Sequence, residues 1–114
     1  MEIHQHESGA KLDADKNRLG LVLGGFANAL QQVGEIGTAG AIKYSPDGWK
    51  TVPNGLERYT DAMLRHLMSY LSGELIDPES QQQHLEHCCW NVLAMLELTL
   101  KEQKEKISNE RGSM

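Results

Sequence analysis

Long apolar runs, spaced cysteine pairs and a basic surplus are all missing from this chain of 114 residues. No stretch approaches the roughly 20 apolar residues that cross a bilayer. The opening segment, MEIHQHESGAKLDADKNR, has no apolar core of the kind a signal peptide needs. The expectation is a soluble, cytoplasmic protein with no membrane partner. The 2 cysteines are adjacent. On a helix Cys88 and Cys89 point about 100° apart, which makes them poor disulfide partners. No C-x-x-C pair is present, so a structural zinc ribbon is excluded and two free thiols are expected. The formal net charge of -5 disfavours extended nucleic acid, whose phosphates call for a basic surface. It leaves room for one nucleotide held by a few lysines or a metal.

No segment reads as a convincing β-strand, and the apolar positions recur at helical spacing instead. The first helix is expected from about Gly25 to Tyr44, with Phe26, Leu30, Val33 and Ile36 as its stripe. Gly34, Gly37 and Gly40 form a second stripe, which either admits a close neighbour or breaks the helix near Gly37. SPDGWKTVPNGLE is a loop with two turn signals. The second helix is expected from about Arg58 to Leu71, ended by Gly73. The third starts either at Asp77, with Pro78 in the first turn, or at a Ser80–Gln83 capping box. It is apolar almost all round to Leu100, which requires a central place in a bundle or cover from another chain. The expected fold is all-α: a small bundle of three main helices, assembled as a homo-oligomer. Residues 1–18 form a flexible lead, 19–100 a single domain, and 101–114 a solvated, frayed tail.

Groups able to do chemistry gather between the second and third helices. His84, His87 and Asn91, at i, i+3 and i+7, make one inward stripe. Capping and packing compete with a site as the explanation for it. Glu74, Asp77 and Glu79 sit in the preceding turn. Three carboxylates brought together need a cation or a proton, and Mg²⁺ suits oxygen ligands with positions left for phosphate. The plainer reading is favourable charge at a helix N-terminus. Lys43, Arg58 and Arg65 are possible phosphate ligands or ordinary surface charges. Trp49 is a stacking surface for a base or a cover over a core edge. His66 is a site residue or a core histidine.

Four segments in a fixed order carry a resemblance. They are GAKLDADKNRLGLV, GAIKYSPDGWK, RYTDAMLRHLMSYLSGELIDPES and HLEHCCWNVLAMLEL. Together, over Gly9 to about Leu98, they resemble a phage family described as the N-terminal domain of dATP/dGTP diphosphohydrolase. It is distantly similar to helical nucleotide pyrophosphatases of the MazG type. Gln81 stands where that family usually has glycine. Of the paired acidic motifs of MazG-type enzymes, Glu74–Asp77 matches the spacing of the second, and the first helix offers only Glu35. The resemblance implies a small helical protein that cleaves purine deoxynucleoside triphosphates to monophosphate and pyrophosphate with Mg²⁺. Carried over by motif, it implies Asp77, Glu79, His84 and His87 as catalytic groups. Asp61, Glu74, Asp77 and Glu79 would hold metal. Lys43, Tyr44, Trp49, Arg58, Arg65, His66 and Asn91 would bind substrate. The alternative function is a non-catalytic phage protein that binds a nucleotide or a host protein, for host takeover or counter-defence. A bare oligomerisation module ranks third, because a buried His/Asn stripe needs partners.

Overall fold

Glycine- and proline-containing turns punctuate the chain, and helices fill the intervals. The computed structural model describes residues 12–112. It contains α1 (Leu19–Gly24), α2 (Ala27–Lys43), a 3-10 turn (Gly48–Thr51), α3 (Gly55–Leu71) and α4 (His84–Gly112). Among the described residues there is no β-strand, only an isolated antiparallel bridge between Ile76 and Gln83. No described helix is long and apolar enough to cross a membrane. Residues 12–18 contain a turn and no helix, and the rest of the expected flexible lead, 1–11, lies outside the described residues.

The boundaries differ from the sequence expectations in three places, and one open alternative is decided. A short α1 precedes the first long helix; LGLVLG has no polar residue to define a face, so periodicity is silent there. α2 runs unbroken through Gly34, Gly37 and Gly40. At Gly37 the reason is contact: an added Cβ would lie 3.2 Å from Trp90 Nε1 on α4. α3 begins at Gly55, where an added Cβ would lie 3.4 Å from Leu98 Cδ1. The lack of a side chain lets the start of α3 approach α4. Finally, α4 starts at His84, later than either expected cap, and continues through the expected frayed tail to Gly112. The tail is exposed throughout its described length. It is rich in good helix formers and repeats Glu–Lys at i, i+4 (Glu97–Lys101, Glu102–Lys106), which sustains a solvated helix.

α3 and α4 pack as an antiparallel pair, and α2 lies against α4. Val33, Cys88 and Ala94 form the buried apolar core. The Cys88 thiol reaches the Met63 carbonyl at 3.5 Å across the helix pair, and both cysteines are free. At the far end Trp49, Tyr59 and Trp90 meet edge to face, with centroids 5.6 to 6.4 Å apart. The Tyr59 hydroxyl donates to the Trp49 carbonyl at 2.7 Å. Among the described residues no large side chain is fully buried. The radius of gyration is 19.0 Å, against about 13 Å for a compact chain of this length.

Candidate functional site

The segment between α3 and α4 is a tight double-back. Gly73, at φ 106°, leaves α3 in a conformation that L side chains avoid. The Ile76–Gln83 bridge then aligns two short arms. Asp77 N–H donates to the Gln82 carbonyl at 2.8 Å, and His84 N–H donates to the Leu75 carbonyl at 3.0 Å. At the tip, Asp77 organises the turn. Its Oδ1 accepts the Glu79 N–H at 3.3 Å, and its Oδ2 accepts the Ser80 N–H at 3.3 Å and the Ser80 hydroxyl at 2.8 Å. The two expected caps therefore act one turn earlier in the chain, inside the loop. The N–H of Gln83, just ahead of α4, instead donates to Glu86 Oε1 at 3.4 Å.

Gln81 sits at φ 64° in the left-handed region, which costs a side chain roughly 1–2 kcal/mol. Its amide donates to the Pro78 carbonyl at 2.8 Å, at an exposed position. Gln81→Gly is expected to stabilise the protein by about 1 kcal/mol, the relief of strain exceeding the loss of one exposed hydrogen bond. A melting curve checks this; a lower Tm for the glycine variant refutes it.

Three histidines converge behind this loop. His84 is only 3% exposed. Its Nε2 lies 2.6 Å from Glu74 Oε1, and its Nδ1 lies 2.8 Å from His66 Nδ1. The His66 and His87 rings stack in parallel, 4.2 Å apart and 6° from coplanar. His87 Nε2 lies 2.7 Å from Ser80 Oγ and 3.6 Å from Asp77 Oδ2. Burial holds His66 below the ordinary imidazole range, and the neighbouring His87 adds to that. Burial also lowers His87, with Asp77 opposing. Removal from water pushes Asp77 up, but the Ser80 hydroxyl and the Glu79 and Ser80 amides outweigh it, and the carboxyl lies below its ordinary value.

These shifts fix a pH dependence. An imidazole whose folded pKa is depressed leaves the unfolded chain binding more protons below about 6.5. The contribution of His66 and His87 to stability is therefore complete above that value and is lost as pH falls through their lowered pKa values. With chelator present, Tm is expected to fall between about pH 7 and pH 5. A flat profile there, or a rising one, contradicts the arrangement.

The residues singled out from sequence fall into two groups. Glu74, Asp77, His66, His84 and His87 come together, with Glu79 at the turn lending its amide. Asn91 is 6% exposed and donates to the His87 carbonyl at 2.8 Å on its own helix. Asp61 and Arg65 line a shallow groove on the outer face of α3 with Leu64, Met68 and Ser69. Arg58 is exposed near the start of α3. Lys43 lies over the Tyr44 ring, 5.2 Å from its centroid, at the exposed end of α2. Trp49 belongs to the aromatic corner. Sequence reasoning gave no role to Ser80 as the bridge between Asp77 and His87, nor to Glu86 as a buried group. Glu86 is 7% exposed, and its Oε2 has no hydrogen-bond partner among the described residues. The S-x-x-x-x-x-x-H spacing carries no recognisable signal, because the loop and not a helix brings Ser80 to His87.

A family model for dATP/dGTP diphosphohydrolase, N-terminal, matches residues 6–108. The chain belongs to this family. The match spans every element that builds the histidine–carboxylate corner and agrees with the resemblance carried by the four sequence segments. Neither the curated proteins nor the solved structures provide a match.

Proposed function

We propose that this chain hydrolyses purine deoxynucleoside triphosphates, releasing pyrophosphate from dATP or dGTP in the cytoplasm of a phage-infected host. The reading is carried by membership of the diphosphohydrolase family over residues 6–108. The convergence of three histidines with Asp77 and Glu74 supports it, since such a corner can move protons near neutral pH. Asp77 and His87, joined through Ser80, are the groups we assign to handling the attacking water. His84 is enclosed and its two ring nitrogens are occupied, so it acts through His66. Arg65 and Arg58 on α3, and Lys43 with Tyr44 and Trp49, are the groups available to phosphates and base, and Asn91 steadies the helix beneath His87. Two histidines and a carboxylate are not the oxygen set that Mg²⁺ favours. We therefore assign magnesium to the substrate, as the counter-ion of the triphosphate, with exposed Glu79 and Asp61 as the nearest free carboxylates in sequence.

The working form is a homo-oligomer. With no large side chain fully buried among the described residues and a radius of gyration of 19.0 Å, the chain has only the small core of Val33, Cys88 and Ala94 to hold it together. Leu93, Leu96, Leu100 and Ile107 are each about half exposed along α4. Their spacings of three, four and seven make a coiled-coil type of seam, which a second copy of the same helix fits.

A second reading is a nucleotide or host-protein binder without turnover. The single carboxylate facing the histidine pair, in place of a full acidic set, favours it. Pyrophosphate release measured for all four dNTPs, with and without Mg²⁺, separates the two. Purine-selective release supports hydrolysis; bound nucleotide without release replaces it with the binder.

A further inference from the structure

We infer that His66, Asp77 and His87 form a site for one divalent transition-metal ion of the manganese-to-zinc series, and that Glu74 and His84 hold His66 in the tautomer that ligates it. Each of the three residues brings a ligand atom within 4.8 Å of the other two, a spacing one dication spans as side chains close on it. Two imidazoles and one carboxylate make a borderline donor set, which suits Mn, Fe, Co, Ni or Zn over Mg or Ca.

The surrounding hydrogen bonds select the proton positions. The Glu74 carboxylate only accepts, so His84 Nε2, 2.6 Å away, is the nitrogen that carries hydrogen in the neutral ring. His84 Nδ1 is then bare and accepts. His66 Nδ1, 2.8 Å away, must donate to it. That leaves the lone pair of His66 Nε2 free. Metal-bound histidines are oriented in this way, by a partner for the second ring nitrogen that is itself anchored on a carboxylate. His84, buried and with both nitrogens engaged, has no other evident purpose. On the opposite side, the Ser80 hydroxyl donates to Asp77 Oδ2 at 2.8 Å, so His87 Nε2, 2.7 Å from Ser80 Oγ, donates to that oxygen and the free lone pair of His87 is on Nδ1. The stacking of His66 on His87 sets the two imidazoles face to face, 4.2 Å apart.

The site shares Asp77 and His87 with the catalytic reading but does not rest on it, because binding is measured without substrate. The test is a cobalt titration of the untagged, chelator-stripped full chain, followed by visible d–d absorption. Saturation at about one Co²⁺ per chain is expected, displaced by Zn²⁺ and not by excess Mg²⁺. His66→Ala and His87→Ala are each expected to weaken binding by about a hundredfold or more, while a His4→Ala/His6→Ala double variant, which removes the two histidines of the N-terminal segment, retains it. Glu74→Ala is expected to cost roughly 10- to 100-fold, and Glu74→Gln to recover most of that, because an amide oxygen accepts the same hydrogen bond. Circular dichroism verifies folding of each variant. If a histidine variant fails to fold, the Glu74 pair decides. Absence of saturable binding, binding that follows His4 and His6, or displacement by Mg²⁺ overturns the site. Equal affinity in all Glu74 variants overturns the orienting relay.

Discussion

Asp77→Asn is expected to reduce pyrophosphate release by about a hundredfold or more, within the range for losing a positioned acid–base group. The carboxylate takes three hydrogen bonds at the turn and faces His87 at 3.6 Å. An amide keeps the shape but removes the charge, and it turns one acceptor into a donor against the Ser80 groups. The turn amides and hydroxyl that hold Asp77 below its ordinary pKa then lose their anionic partner, so a moderate fall in Tm is expected as well. The control is Ser80→Ala, which removes one hydroxyl and leaves the charge. Its expected loss is about tenfold or less, because Asp77 and His87 remain adjacent. Pyrophosphate assays on both variants, with circular dichroism to establish folding, give the answer. Full activity in folded Asp77→Asn eliminates the catalytic assignment.

A double substitution, Leu96→Glu with Leu100→Glu, is expected to dissociate the assembly and to lower Tm steeply. Both leucines are about half exposed on α4 and lie one turn apart on the seam. Covering a leucine contributes roughly 1.5–3 kcal/mol, and each site occurs in every copy. Introducing like charges at adjacent seam positions adds repulsion. Light scattering should report a multimer for the parent chain and a smaller, less helical species for the variant. Glu102→Gln, on the exposed continuation of the same helix, serves as a neutral comparison. A parent chain that runs as a monomer at micromolar concentration would remove the oligomer from the account.

Much of the helical content was legible because α3 repeats its apolar residues with a clear 3.6 period and the first half of α4 is a long apolar stretch bounded by polar residues. α1 was not, since a segment without polar residues has no period to read. The tail of α4 was misjudged because charged, apolar-poor sequence looks the same in a frayed end and in a solvated helix; only the i, i+4 pairing distinguishes them. The stripe formed by His84, His87 and Asn91 was visible from spacing alone. The partnership of His66 with both histidines was not, because it depends on how α3 and α4 face each other across the loop. Nor was the change in ligand character. Counting carboxylates in the turn suggested a hard oxygen site, whereas the fold directs Glu74 onto His84 and leaves Asp77 with two imidazoles.

The whole polar corner lies between His66 and His87, in two helix ends and the double-back that joins them. Its geometry is therefore sensitive to chain length in one place and indifferent to it elsewhere. Insertions between α2 and α3 would disturb the aromatic corner at Trp49 and leave the register of the histidines untouched. One residue added between Gly73 and Gln83 would shift the Ile76–Gln83 pairing and change the offset between Asp77 and His87. Length variation among relatives should accordingly be confined to the first of these two loops.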